Sequence, residues 1–110
     1  MKISKELLKG TTATMILKIV SEGDTYGYEI AAALERRSES VFSLKEGTMY
    51  PILHTLEKEG YVEAYRKSSE SGRERRYYRI TAGGRAYLAL RLEEWKLFST
   101  SVDRVIEGGE

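Results

Sequence analysis

Apolar side chains recur at helical spacing through the first half of the chain, in three stretches separated by short polar segments. The stretches cover residues 3–21, 26–38 and 44–59, and a repeat of three or four residues in each predicts an amphipathic helix. Their inward-facing positions are Leu8, Thr12, Met15, Ile16 and Ile19, then Tyr26, Ile30, Ala33 and Leu34, then Met49, Ile52, Leu53 and Leu56. The pattern therefore predicts three helices around one core.

Helix-start signals precede the second and third stretches. Asp24 or Thr25 can cap the second helix, and Ser43 followed by Glu46 matches a capping box for the third. Pro51 lies inside the third pattern, where it cannot donate to the carbonyl four residues earlier. We therefore expect an irregular first turn in the third helix.

The helical period gives way to alternation after Gly60. Residues 61–67 and 75–81 place every second side chain on the same side, and the polar segment 68–72 separates them. This pattern predicts a β-hairpin. An isolated hairpin is marginal in water, so we expect it to pack on the helices.

The last stretch, residues 81–107, repeats its apolar positions every three or four residues and predicts a long helix. Gly83 and Gly84 predict a loose first turn. An exposed apolar seam of this length is rare on a monomer, so we expect a two-fold dimer that buries it. The expected interface residues are Leu88, Leu92, Trp95, Ser99, Val102 and Ile106.

This order of elements predicts a mainly α fold with a small β-hairpin. It is typical of a winged helix-turn-helix followed by a long C-terminal dimerisation helix. We expect residues 1–81 to form the DNA-binding domain and residues 82–110 to form the dimerisation helix. The third helix fits the major groove of B-DNA, and the hairpin can reach the neighbouring backbone as a wing.

Composition describes an ordinary single domain: 110 residues, 41% hydrophobic and 32% charged. The sequence contains no cysteine, which excludes disulfides, thiolate metal sites and a cysteine nucleophile. No apolar run is long enough to cross a membrane, and the N-terminal stretch is too polar for a secretory signal. We therefore expect a protein with no membrane partner.

The net charge of +1 conceals an uneven distribution. Residues 1–60 hold eight basic and nine acidic side chains, residues 61–91 hold eight and three, and residues 92–110 hold two and five. The basic middle coincides with the predicted hairpin, which is the charge expected of a phosphate-binding surface. A solvated charged hairpin with no partner explains the same charge equally well.

Eight residues are the DNA-binding candidates. Those in the third helix and its start are Lys45, Thr48, Tyr50, His54 and Lys58, and those in the hairpin are Arg73, Arg75 and Arg76. Plain solvent exposure explains the two lysines and the histidine equally well. Arg79, further along the strand, can also pair with Glu63. His54 is the only histidine, so we expect no catalytic residue, metal site or cofactor.

Three segments carry a family resemblance. They are Tyr26-Gly27-Tyr28-Glu29-Ile30, Glu46-Gly47-Thr48-Met49-Tyr50-Pro51-Ile52-Leu53 with Leu56-Glu57-Lys58-Glu59-Gly60-Tyr61-Val62, and Gly72-Arg73-Glu74-Arg75-Arg76-Tyr77-Tyr78-Arg79-Ile80-Thr81. Together they resemble the PadR-type transcriptional regulators, in the small subfamily with one C-terminal dimerisation helix. The resemblance covers nearly the whole chain.

The resemblance implies a cytoplasmic homodimer that binds double-stranded promoter DNA, usually as a repressor. It also implies a small aromatic or cationic effector, with Trp95 placed to stack on a flat ligand between subunits. Glu74 departs from the expected wing by placing an acid among the arginines. A winged-helix protein–protein module without direct DNA binding is the alternative. An enzyme is disfavoured, because the sequence shows no paired-carboxylate site, nucleophile elbow or phosphate loop.

Overall fold

The computed structural model describes residues 3–68 and 70–108, so part of the predicted turn at 68–72 lies outside the described residues. Its elements confirm a mainly helical fold with a small antiparallel sheet and a long C-terminal helix. In chain order they are α1 (Lys5–Leu8), α2 (Thr12–Ser21), β1 (Thr25–Tyr26), α3 (Gly27–Arg37), α4 (Glu46–Lys58), β2 (Val62–Ser68), β3 (Glu74–Ile80) and α5 (Ala82–Glu107).

The single helix expected over residues 3–21 is wrong, because the chain breaks between α1 and α2. Gly10 adopts a left-handed φ of 87°, which a helix does not accommodate. The carbonyl of Leu8 accepts hydrogen bonds from the Thr11 backbone N–H at 3.1 Å and from the hydroxyls of Thr11 and Thr12 at 3.0 and 3.2 Å. These contacts close the turn from which α2 starts.

The sheet has a third strand that the pattern did not predict. Within the described residues its order is β1-β3-β2, with Thr25 opposite Tyr78 and Tyr26 opposite Tyr77. The expected cap at Asp24 or Thr25 is wrong: Tyr26 is the N-cap of α3, and its side chain makes no capping bond. The Thr25 hydroxyl instead donates to the Glu29 carboxylate at 2.9 Å.

The predicted start of the third helix is also wrong in detail. Lys45 is the N-cap of α4, and no side chain caps the helix there, so Ser43 and Glu46 form no capping box. The helix runs through Pro51 as one element. Gly47 is exposed, so water can satisfy the carbonyl that the missing proline N–H leaves free.

The predicted hairpin is confirmed, and the core lies between its inner face and the helices. β2 and β3 pair from Val62 opposite Ile80 to Ser68 opposite Glu74. Buried side chains of α2, α3, α4 and the sheet form one cluster, and α5 packs on α2 and contributes Leu88. None of the helices in the described ranges is long and apolar enough to cross a membrane.

The start of α5 is tightly packed, which overturns the expected loose turn. The Thr81 hydroxyl accepts a hydrogen bond from the Gly84 N–H at 2.9 Å and donates to the Gly60 carbonyl at 2.7 Å. Gly84 is buried, and a Cβ there would overlap the Tyr61 carbonyl oxygen and lie 2.8 Å from Ile80 Cγ1. Glycine at this position lets α5 contact the Tyr61 backbone, just before β2, directly.

We expect Gly84→Ala to lower the free energy of unfolding by about 1–3 kcal/mol, because the new methyl group overpacks a backbone contact. Gly83→Ala is the matched control. The nearest atoms to a Cβ at Gly83 lie 3.7 and 3.9 Å away, so its stability should stay level or rise by up to about 1 kcal/mol. Urea unfolding followed by circular dichroism measures both, and equal stability of the two variants would contradict the packing role.

Candidate nucleic-acid interface

The outward face of α4 carries the sequence-predicted helix residues. Met49, Leu53 and Leu56 are buried and fasten the opposite face to the core. The exposed candidates at the helix and its N-cap are Lys45, Thr48, Tyr50, His54 and Lys58. α4 therefore presents small, polar and basic side chains to solvent on a rigid, well-anchored support.

Tyr50 combines exposure with packing on α3. Tyr50 is exposed, with 42% of its surface accessible to solvent. Its hydroxyl nevertheless lies over the first residue of α3, since a Cβ added at Gly27 would come within 2.5 Å of it. Gly27 thus provides the space that sets the direction of the Tyr50 ring. This contact joins α4 to the start of α3.

The hairpin of β2, β3 and their connecting turn places like charges directly opposite each other. Arg66 faces Arg76 across the strands, and Lys67 faces Arg75. Opposed like charges destabilise a strand pair in isolation. Such an arrangement is suited to an anionic partner. Arg73 is exposed in the turn of this hairpin.

Two of the predicted hairpin cations contact the helical part of the protein. One Arg76 nitrogen, Nη2, donates to both Glu57 carboxylate oxygens at 3.0 Å, and this hydrogen bonding raises the pKa of Arg76 above its usual range. The Arg75 guanidinium lies 4.6 Å from the centre of the Tyr26 ring, a cation–π distance. Both side chains therefore have partners within the chain.

Sequence reasoning missed a cluster on the outer face of the sheet. The Tyr65 hydroxyl donates to Asp24 Oδ2 at 2.6 Å, and Arg79 Nε donates to the same oxygen at 3.2 Å. The Asp24 hydrogen bond holds the phenolic proton and so raises the pKa of Tyr65. Arg79 pairs with Asp24, although the register places it opposite Glu63. No local signal could indicate this contact, because β1 brings Asp24 to the sheet.

α5 carries the residues expected at the dimer interface, with one difference. Leu88 is only 6% exposed and belongs to the core of its own chain. Ser99 and Val102 are half-buried, whereas Leu92, Trp95 and Ile106 are exposed. Further large apolar side chains exposed along α5 are Leu90, Leu97, Phe98 and Val105. Apolar surface thus extends well beyond the predicted seam.

An open groove of about 870 Å³ runs along another side of α5, lined among others by Tyr87, Leu90, Leu97 and Arg104. Trp95 does not line it. The Trp95 ring lies 6.2 Å from the Phe98 ring, with the two planes tilted by 36°. The tryptophan and the groove are therefore separate features of the same helix.

The model of the transcriptional regulator PadR-like family matches residues 16–90. The chain is 31% identical over 84 residues to transcriptional regulator Rv3488 of Mycobacterium tuberculosis, covering 76% of this chain and 75% of that protein.

Solved structures agree. A transcriptional regulator from Clostridium thermocellum has 36% identity and a TM-score of 0.84, with 93% of this chain and 96% of that chain covered. A PadR-like transcriptional regulator from Bacillus cereus has 34% identity and a TM-score of 0.83, with 96% and 100% covered. The helices, the hairpin and the long α5 therefore assemble a known arrangement, and the chain belongs to the PadR family of transcriptional regulators, which are DNA-binding proteins and not enzymes.

Proposed function

We propose that the protein is a cytoplasmic homodimeric repressor that binds promoter DNA sequence-specifically and responds to a small ligand. The observation that carries the DNA-binding part is the juxtaposition of two exposed features. The outward face of α4 offers polar and basic groups, and the cationic hairpin is attached to the last turn of the same helix through Glu57 and Arg76. One duplex can contact both.

The proposed division of labour follows the chemistry of DNA. Lys45 and Lys58 at the two ends of α4, together with Arg73 in the hairpin turn, supply charge for phosphates. Thr48, Tyr50 and His54 carry hydrogen-bonding groups that suit base edges in the major groove. Phosphate contacts fix the register of the protein on the duplex, and base contacts select the operator.

Dimerisation is supported by the apolar surface of α5. Leu92, Trp95 and Ile106 are exposed in the single chain, and Ile106 is 76% exposed. A second copy related by a two-fold axis would bury this surface and present two copies of α4. Two such helices can read half-sites about 34–36 Å apart, one turn of DNA.

The functional division places DNA binding in residues 1–81 and dimerisation in residues 82–110. Structurally the two parts adjoin without a linker, because Gly84 and Leu88 of α5 pack into the first part. A ligand between subunits would act through its different affinity for two arrangements of the dimer. The exposed Trp95 ring beside Phe98 supports a ligand-stacking role.

We expect DNA from the protein's own promoter region to bind with a steep salt dependence. Lys58→Ala should reduce the magnitude of the slope of log K against log salt by about 0.9, the effect of one lost phosphate contact. Tyr50→Ala should weaken binding to the operator with little change in that slope. Fluorescence anisotropy at several salt concentrations measures both quantities.

Lys96→Ala is the charge-matched control for this experiment, since Lys96 is an exposed lysine on α5. We expect it to bind like the wild type. Equal binding by the wild type, Lys58→Ala and Tyr50→Ala would remove the assignment of α4 to DNA. A wild-type protein with no salt-dependent DNA binding would favour the protein–protein module instead.

Leu92→Glu should weaken dimerisation by about 30-fold or more, because it places an unpaired charge in the proposed interface. Ala89→Glu adds the same charge at an exposed position on α5 outside the seam and should leave dimerisation close to wild type. Sedimentation equilibrium measures both constants. A monomeric wild type, or equal dimerisation by the two variants, argues against the seam.

Planar aromatic cations should quench or shift the fluorescence of Trp95 on titration. Trp95 is the only tryptophan in the chain, so the signal reports one position. A planar aromatic cation over the indole face gains stacking contact in addition to cation–π energy, whereas an aliphatic cation of the same charge gains only the cation–π part. If a diverse panel produces no change, Trp95 serves packing alone.

A further inference from the structure

The three arginines of β3 contact three different parts of the helical body. Arg75 lies over the ring of Tyr26, the N-cap of α3, at 4.6 Å. Arg76 binds Glu57 in α4, and Arg79 binds Asp24 in the segment between α2 and β1. Two cations that the sequence predicts to bind DNA, Arg75 and Arg76, thus have partners within the protein.

The core contacts of the hairpin, among its described residues, lie at its inner end. Among its described residues, the buried side chains are Val62, Tyr78 and Ile80, all at the end nearest the helices. A two-stranded ribbon that extends past its core contacts is free to bend and twist. Arg75 and Arg76 stand just beyond these core contacts. Their contacts with Tyr26 and Glu57 are therefore placed to hold the angle at which the hairpin leaves the body.

Glu57 is the partner that connects this angle to DNA reading. It lies on α4, one position before Lys58, and both its carboxylate oxygens accept from Arg76 Nη2 at 3.0 Å. The Arg76 guanidinium also lies 5.9 Å from the centre of the Tyr78 ring. The arginine is thus held between a carboxylate on the helix and an aromatic ring of its own strand.

The stability of the fold does not by itself explain the Arg76–Glu57 ion pair. The Arg76 and Glu57 side chains are 45% and 33% exposed, and ion pairs near the surface contribute only about 0–1 kcal/mol. An acid on the helix that is proposed to face DNA also repels phosphate. Placement of the hairpin explains both facts, since phosphates lie at fixed positions along a duplex and a displaced wing misses them.

We propose that Glu57 and Arg76 are positioning residues for DNA binding, which fix the distance and angle between the hairpin and α4, and that Arg76 does not contact phosphate. The inference rests on the proposed DNA-binding function for its consequence. Its structural half, the fixed geometry of the hairpin, holds in the free protein. The two halves can be tested separately.

A charge swap distinguishes positioning from phosphate contact. Arg76→Glu alone should weaken operator binding by about tenfold or more, because a displaced hairpin loses at least one of the DNA contacts made by its other residues. The double variant Glu57→Arg with Arg76→Glu restores the pair at unchanged net charge and should recover to within about threefold of wild type. A double variant as impaired as Arg76→Glu would show that Arg76 itself meets phosphate, and would overturn the proposal.

Distances in the free protein test the geometry without DNA. The chain contains no cysteine, so Glu59→Cys at the C-cap of α4 and Ser68→Cys at the end of β2 accept two spin labels specifically. Labelled chains diluted with unlabelled chains report the distance within one chain. Arg76→Glu should broaden or shift the distance distribution, and the charge swap should restore it.

Arg66→Gln is the matched control for the distance experiment. Arg66 pairs with Glu74 within the hairpin at 3.5 Å, so this substitution breaks an ion pair of the same kind without placing an acid opposite Arg76. We expect the distance distribution of this control to match wild type. If Arg76→Glu fails to fold, Glu57→Gln is the milder variant that breaks the same pair. Unchanged distances in Arg76→Glu overturn the proposal even if DNA binds. A wild type that binds no DNA overturns the proposed function. The distance measurement then decides whether Glu57 and Arg76 position the hairpin.

Discussion

The antiparallel pairing of Thr25 and Tyr26 with Tyr78 and Tyr77 is the contact on which the arrangement of the site depends. It joins the start of α3 to β3, and so converts a two-stranded hairpin into a three-stranded sheet that belongs to the helical body. The same pairing brings Asp24 within hydrogen-bond distance of Tyr65 and Arg79. Without it, neither the outer-face cluster nor the Tyr26 contact with Arg75 could form.

The positions of the charged side chains matter more in this protein than its net charge. The hairpin stretch has a clear excess of cations, yet the carboxylates of Glu57 in α4 and Asp24 before β1 neutralise part of this charge at Arg76 and Arg79. These ion pairs reduce the positive charge that is available to a phosphate. They also fix the positions of the paired side chains on the surface. Arg66 and Lys67 contact Glu74 and the Tyr77 ring within the hairpin itself, so their positions depend on how Arg76 and Arg79 hold the hairpin against the rest of the protein. Long-range attraction and fixed placement thus come from different members of one basic segment.

The sequence predicted the elements whose signal is local and periodic, including α4, the hairpin and α5. It failed where a contact joins distant segments. β1 is two residues long, too short for alternation to register, and the Asp24–Arg79 pair spans 55 positions. The Gly84 contact was misinterpreted because a glycine near a helix start is equally consistent with looseness and with close packing. Of the site, exposure on α4 followed from helical period, whereas the partners of Arg75 and Arg76 required the tertiary fold.

Coupling between the two ends of the molecule follows from the absence of a linker between β3 and α5. Ile80 ends the strand, Thr81 caps the helix, and Gly84 rests on the Tyr61 backbone, so the strand root and α5 meet as one packed unit. Close-packed interiors transmit displacement and do not absorb it. A change in the angle between two α5 helices in a dimer would therefore move each β3, and through the Arg76–Glu57 pair the hairpin would move together with α4. A ligand that prefers one such angle needs no direct contact with the DNA-binding surface to change its spacing.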